Sequence, residues 1–217
     1  MRTPARRAGV RTRMRGLGDW RVVTAQETKQ EMRRRIVAAR RAMAERERDA
    51  SASAIRDALA AEPLFTSGGT VAVYYSVGTE PGTRKLVAAL WKRGTYVLLP
   101  VFLDSGELDW AAYEGPDSLE SAAYGLLEPT GPRYGPDAVR RAAAVVCPAL
   151  AVDGSGLRLG RGAGCYDRSL SRVGPNTLTL AVIYDTELVE SVPAEPHDRP
   201  VGGVVTPGGG MRVLDRR

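Results

Sequence analysis

Glycine recurs at every second position in Leu159-Gly160-Arg161-Gly162-Ala163-Gly164-Cys165-Tyr166-Asp167-Arg168, and a chain with that spacing has to turn sharply there. Lacking Cβ atoms, alternate residues reach backbone conformations closed to other side chains, so successive N–H groups can converge on one point. The run reads as a connection into a helix through Cys165-Tyr166-Asp167-Arg168-Ser169-Leu170. Two readings fit it. In one, backbone donors, the guanidinium of Arg161 and the positive end of the helix hold a phosphate, with Asp167 set to keep Mg2+ against it. In the other, it is a tight turn whose charges are merely solvated. The spacing is not that of a P-loop, which would place Lys and then Ser or Thr directly after the last glycine.

The flanking pattern alternates between strand and helix. Thr24-Ala25-Gln26-Glu27 fits a capping box, with Met32, Ile36, Ala39 and Met43 at helical spacing behind it, so a first helix is expected from about residue 25. Lys29 and Arg33, four apart, share a face of that helix; they form either a two-cation clamp for polyphosphate or part of a solvated face with Arg34, Arg35, Arg40 and Arg41. A second helix is expected over Arg46–Ala61, a strand over Val71–Tyr75, a helix over Thr83–Arg93, and a strand over Tyr96–Leu99 ended by Pro100. The loop from Ser76 to Thr83 carries Glu80 and leaves the carboxyl end of a strand, where open parallel sheets bind ligands. Leu108–Tyr113 reads as a peripheral strand, Pro116–Glu128 as a loop, and Ala142–Pro148 as a strand buried on both faces; Thr177–Ile183 and Val201–Val205 complete the set. This order predicts an α/β fold, a three-layer sandwich with a mainly parallel sheet.

Charge narrows the partners. Residues 1–24 carry seven arginines against Asp19, which accounts for the whole formal charge of +6 and leaves the remainder neutral. A nucleic-acid footprint on the folded body is therefore not expected, and attraction to nucleic acid would belong to that arm. Residues 1–24 read as a disordered basic arm and residues 25–217 as one α/β domain, with no stretch suited to a membrane span and a cytoplasmic location. Two cysteines and one histidine are too few for a structural zinc site, and no G-x-S-x-G elbow accompanies His197.

The glycine run, preceded by Cys147-Pro148-Ala149-Leu150-Ala151-Val152-Asp153 and followed by His197-Asp198, resembles the 5-formyltetrahydrofolate cyclo-ligase family over roughly residues 25 to 206. Gly125-Leu126-Leu127-Glu128-Pro129, Lys29 with Arg33, and Gly78-Thr79-Glu80-Pro81-Gly82-Thr83 belong to the same resemblance. It implies the fold shared with ribose-phosphate isomerase and CoA-transferase-like proteins. It also implies an enzyme that uses ATP and Mg2+ to cyclise 5-formyltetrahydrofolate, with or without a polyglutamate tail, to 5,10-methenyltetrahydrofolate, releasing ADP and phosphate. The formyl group is an amide; phosphorylation of its oxygen makes that oxygen a leaving group, and N10 then closes the ring. Carried over by motif, Lys29, Arg33, Gly160, Arg161, Gly162, Ala163, Gly164, Cys165 and Tyr166 would bind ATP, with Arg161 and Tyr166 catalytic. Tyr75, Glu80, Arg161 and Cys165 would meet the folate, and Asp167 and Asp198 the metal.

The chain departs from the family at three places. Cys165 stands where a first of two tyrosines is common, Ala163 where glycine or lysine is, and Glu187 where glutamine is. Ala163 suggests a position already helical. The rival readings are a non-catalytic phosphate or nucleotide sensor on the same fold, a nucleic-acid accessory protein using the arginine arm, and a kinase for another small acid or amide. The family reading implies a monomer or small homo-oligomer with no membrane partner.

Overall fold

A computed structural model describes residues 27–214. It begins with α1 (Lys29–Ala42), α2 (Glu45–Ala60), the single turn α3 (Pro63–Thr66), β1 (Thr70–Val73), α4 (Arg84–Lys92), β2 (Tyr96–Phe102) and β3 (Leu108–Ala112). There follow β4 (Leu119–Ser121), β5 (Leu127–Pro129), β6 (Ala144–Pro148), β7 (Ala151–Asp153), β8 (Arg158–Leu159) and α5 (Cys165–Leu170). β9 (Leu178–Val182), β10 (Leu188–Val189), β11 (Gly203–Thr206) and β12 (Gly210–Val213) close the chain.

Seven strands form the main sheet in the order β12-β11-β9-β6-β1-β2-β3. The inner five are parallel, while β3 and β12 run antiparallel at the two edges. Strand β6 shows why the sheet is a middle layer. Val145 and Cys147 enter one apolar cluster and Ala144 and Val146 the other, so consecutive residues serve opposite faces. Ile55 and Leu59 of α2 with Leu86 and Leu90 of α4 cover one face; Leu170 of α5, Val139 and Trp110 fill the other. The α/β sandwich with a mainly parallel sheet expected from the sequence is therefore what forms. The strand order reverses between β1 and β6, and ligands of open α/β sheets bind outside the carboxyl ends at such a point.

Several local expectations shift. The first helix starts at Lys29, where Thr28 accepts from the Glu31 amide at 3.2 Å and Glu31 accepts from the Thr28 amide at 2.9 Å. This capping box replaces the one expected at Thr24, which lies outside the described residues. Strand β2 runs through Pro100 instead of ending there. Val97 and Leu103 pair with Tyr113 and Glu107 toward β3, so the N position of Pro100 faces the other side, where β1 has already ended. The expected loop at 116–128 contains the hairpin of β4 and β5. The edge strand β12 and a small sheet of β10, β7 and β8 were not expected.

Helix α1 lies off the main sheet, its Met32 and Ile36 packing on Leu150, Leu159 and Val192. The expected apolar position Ala39 is exposed, and Arg40 is buried in its place. Its Nε and Nη2 donate to the two carboxylate oxygens of Glu187, each at 2.7 Å, and Nη2 also reaches the Ala149 carbonyl at 2.6 Å. Burial disfavours the guanidinium charge, but the Glu187 carboxylate outweighs it, so Arg40 stays charged. Glu187 also accepts from the Tyr184 amide at 2.8 Å. Replacing Arg40 by Met would strand a carboxylate in the interior. Denaturant unfolding should show a loss of about 3–5 kcal/mol, and Glu187→Gln, which leaves the buried guanidinium without its counter-charge and turns one acceptor into a donor, should cost a similar amount. A Glu187→Gln variant as stable as the parent would mean the charge on Glu187 is immaterial.

Candidate active site

The carboxyl ends of β1 and β6 open on a cleft of about 530 Å³. One wall is the glycine loop. Gly162 (φ 111°) and Gly164 (φ 68°) hold conformations that suit glycine, and α5 begins only at Cys165. Ala163 is therefore outside the helix, contrary to expectation, and its φ is negative because the glycines on either side make the turn. Its carbonyl accepts from Arg168 Nη2 at 2.8 Å.

Helix α1 supplies the second wall, as the cation pair anticipated. Arg33 Nε donates to the Gly160 carbonyl at 2.9 Å, and its guanidinium carbon lies 3.7 Å from where a Cβ on Gly162 would sit. Lys29 Nζ is 2.7 Å from Asp198 Oδ2 and 3.2 Å from Glu195 Oε2. Burial would raise the Asp198 carboxyl, but the hydrogen bonds from Lys29 and the Glu195 amide prevail and hold it below the usual carboxylate range. Glu195, His197 and Asp198 bring their ligand atoms within 4.8 Å of one another. Asp167 is not in that group. It lies in α5, its Oδ1 accepting from Arg158 Nη2 at 3.0 Å and from the Arg199 amide at 3.2 Å.

The third wall is the loop after β1, knitted to itself. Tyr74 OH donates to the Pro81 carbonyl at 2.5 Å, and Ser76 and Thr83 exchange backbone-to-hydroxyl bonds at 3.1 and 3.0 Å. Glu80 Oε2 accepts from the Val77 amide at 3.0 Å, so the carboxylate is fixed before anything binds. Its Oε1 lies 3.2 Å from Arg161 Nη2, joining this loop to the glycine loop across the cleft. Tyr75 lies with its ring under the Arg84 guanidinium, 5.0 Å from the centroid. Tyr166 lies against both main clusters and under Arg158, and burial pushes its phenol well above the usual range, leaving a neutral hydroxyl. Cys165 is buried at the head of α5 with its thiol raised by burial. Cys147, in β6, is pushed up to about 11 and is no nucleophile.

Every residue singled out from the sequence, Lys29 and Arg33, Tyr75 and Glu80, Gly160 through Asp167, and Asp198, lines this one cleft, as does His197. Sequence reasoning missed Arg158, whose side chain is 3% exposed and whose Nε has no partner among the described residues. An arginine inside the apolar stretch Leu157-Arg158-Leu159 was the available signal. It also missed Arg40, Glu195 and the apolar end formed by Phe102, Leu108, Tyr124, Leu126 and Leu127.

The chain is similar to proteins of one family. Residues 25–207 match the 5-formyltetrahydrofolate cyclo-ligase family. The chain is 40% identical over 192 residues to the 5-formyltetrahydrofolate cyclo-ligase of Mycolicibacterium smegmatis, covering 86% of this chain and 97% of that protein. The Escherichia coli protein of the same name is 33% identical over 148 residues, 67% of this chain and 81% of its own length. The solution structure of Aquifex aeolicus 5,10-methenyltetrahydrofolate synthetase superposes with a TM-score of 0.74 at 30% identity, over 87% of this chain and 94% of that one.

The Lys29–Asp198 clamp has a pH signature. Asp198 has a folded pKa below its unfolded value of about 3.9, so its contribution is complete above about pH 5 and is lost as pH falls through the folded pKa. The stability difference between the parent and Asp198→Asn should hold from pH 7 to 5 and disappear in more acid solution. A difference that instead grows on acidification would remove the clamp from the account.

Proposed function

The chain belongs to the 5-formyltetrahydrofolate cyclo-ligase family, and from that premise we propose how its cleft divides the labour of ATP-dependent cyclisation of 5-formyltetrahydrofolate to 5,10-methenyltetrahydrofolate. The single observation that carries the reading is the Arg161–Glu80 contact at 3.2 Å, because it sets a phosphate-type loop against a fixed carboxylate inside one cleft. A non-catalytic sensor finds no support in the relatives.

ATP supplies the phosphoryl group that turns the formyl oxygen into a leaving group. The residues fit its phosphates: Gly160, Arg161, Gly162, Ala163 and Gly164 give a backbone cradle on one side, and Lys29 and Arg33 give positive charge on the other. Arg161 has a side chain 61% exposed and Glu80 keeps the Val77 amide, so the guanidinium can exchange Glu80 for the transferred group. Glu80, released but still held by the Val77 amide, orients the pterin or the formyl group by hydrogen bonding. Tyr75 and Cys165 border the same pocket, and the neutral Tyr166 hydroxyl donates to a substrate or phosphate oxygen. Alignment of donor and acceptor and neutralisation of spreading charge are what phosphoryl transfer asks of a protein.

Magnesium fits the donor set. Asp167 Oδ2 and Asp198 Oδ1 have no hydrogen-bond partner among the described residues, and hard carboxylate oxygens suit that ion. It would neutralise phosphate charge there. Two buried free cysteines suit a reducing compartment, the cytoplasm, and no helix among the described residues is long and apolar enough to cross a membrane.

The test is the near-ultraviolet absorbance of methenyltetrahydrofolate formed from 5-formyltetrahydrofolate and Mg-ATP, against a control without ATP. An ATP-dependent rise with matching ADP is expected; ATP binding without the rise would overturn the assigned substrate. Because Asp167 pairs with buried Arg158, Asp167→Ala would disturb the fold. Asp167→Asn is the cleaner variant and should lower turnover roughly a hundredfold, the size of losing a few kcal/mol of charge stabilisation. Arg161→Lys should lose roughly tenfold, since a point charge does not reproduce the guanidinium fork; an unchanged rate would assign the work to the backbone donors.

A further inference from the structure

Tyr124 is the one non-glycine residue with positive φ among those described, at φ 59° and ψ 19°. Gly125 follows at φ 73°, and the Leu126 amide donates to the Ala123 carbonyl at 3.1 Å. Two successive left-handed residues at the tip of a hairpin are the positions that Asn-Gly or Gly-Gly fill readily, whereas an aromatic side chain is disfavoured there. The ring recovers nothing by burial, being 87% exposed.

The strained turn is held from both ends. β4 and β5 pair from Leu119–Pro129 to Ser121–Leu127, and the Ala122 amide donates to the Leu126 carbonyl at 2.9 Å. Buried Glu128 then ties the hairpin to β2, accepting from the Phe102 amide at 2.8 Å. Phe102 meets the Tyr124 ring edge-on, with centroids 6.3 Å apart at 75°, an arrangement that braces the tyrosine. Both rings, with Leu108, Leu126 and Leu127, line the same cleft as the glycine loop and Glu80, where they add apolar surface. Strain held by surrounding structure at the mouth of a site points to a ligand contact.

We propose that Tyr124 is a substrate-recognition residue whose ring face stacks on the p-aminobenzoyl ring of the reduced folate, with Phe102 as its support. The proposal rests on the cyclo-ligase reading and extends it to the part of the substrate that does not react. The reacting N5-formyl group and N10 belong beside Arg161 and Glu80. The p-aminobenzoyl ring is bonded to N10 and the charged glutamate tail beyond it runs to solvent, so the ring passes the cleft mouth, where an exposed aromatic face stands.

Tyr124→Gly separates recognition from folding, because glycine is at ease at φ 59°. With the full-length protein, its thermal midpoint should equal or exceed that of the parent, while KM for 5-formyltetrahydrofolate should rise roughly tenfold, the scale of one lost aromatic stack. KM for ATP should stay within twofold, and Tyr124→Phe should restore the parental KM for folate. A folate KM in Tyr124→Gly within twofold of the parent would overturn the proposal, as would an equal rise in both KM values or a phenylalanine variant as weak as glycine. Should the parent itself form no methenyltetrahydrofolate, the substrate reading fails separately. Equilibrium binding of 5-formyltetrahydrofolate then decides Tyr124: tenfold weaker binding by Tyr124→Gly sustains it, and equal or absent binding by both proteins overturns it.

Discussion

The buried pair between Arg40 and Glu187 is the constraint on which the geometry of the cleft depends. Lys29, Arg33 and Arg40 lie on one helix, and only the last is anchored in the interior, by two bonds to Glu187 and one to the Ala149 carbonyl just past β6. That anchor sets the position of α1 along its axis, and with it the height at which Lys29 and Arg33 meet Asp198 and the glycine loop. Tyr184 ties in the third wall: its hydroxyl donates to the Thr79 carbonyl at 3.4 Å, its amide donates to Glu187, and its ring lies under Arg40, 5.5 Å from the guanidinium carbon. A hydrophobic helix seat would fix tilt well enough; a bidentate ion pair also fixes register.

The cleft is organised as charges already matched. Lys29 is held by Asp198, Arg158 by Asp167 and Arg161 by Glu80. Their burial differs, and so does the ease of exchanging partners. Arg158 is nearly enclosed and serves to hold Asp167, while Arg161 is mostly in solvent. The net neutrality of residues 25–217, evident from composition, thus takes a local form in which positive groups are kept ordered without being stranded.

What the sequence disclosed followed from short-range pattern. The glycine spacing, the apolar run of β6 and the four-residue step from Lys29 to Arg33 are visible in windows of a dozen residues, and the structure assembles all three around one cleft. What it concealed depends on distant partners. Arg40 looked like one more arginine on a solvated face, because its partner is 147 residues away, and Glu187 looked like an inconsequential exchange for glutamine. The hairpin at 119–129 escaped because its strands are three residues each and its turn carries a tyrosine where turn chemistry favours asparagine or glycine. Pro100 misled for a related reason: a proline stops a strand only where its missing N–H is needed, and that depends on where the neighbouring strand ends.

Lys29 finds its ion-pair partner 169 residues later in the chain. On a ribosome adding roughly 5–20 residues per second, that separation amounts to roughly 10–30 seconds between the synthesis of α1 and that of the residue that completes its docking. Over that interval Met32 and Ile36 have no finished seat, since Leu150, Leu159 and Val192 also come late. The capping box at Thr28 and Glu31 lies within α1 itself, so the helix can hold its own first turn while it waits. The first of the described elements to be made is therefore among the last to be locked, and a polypeptide truncated between residues 170 and 198 carries the glycine loop without the partner of Lys29.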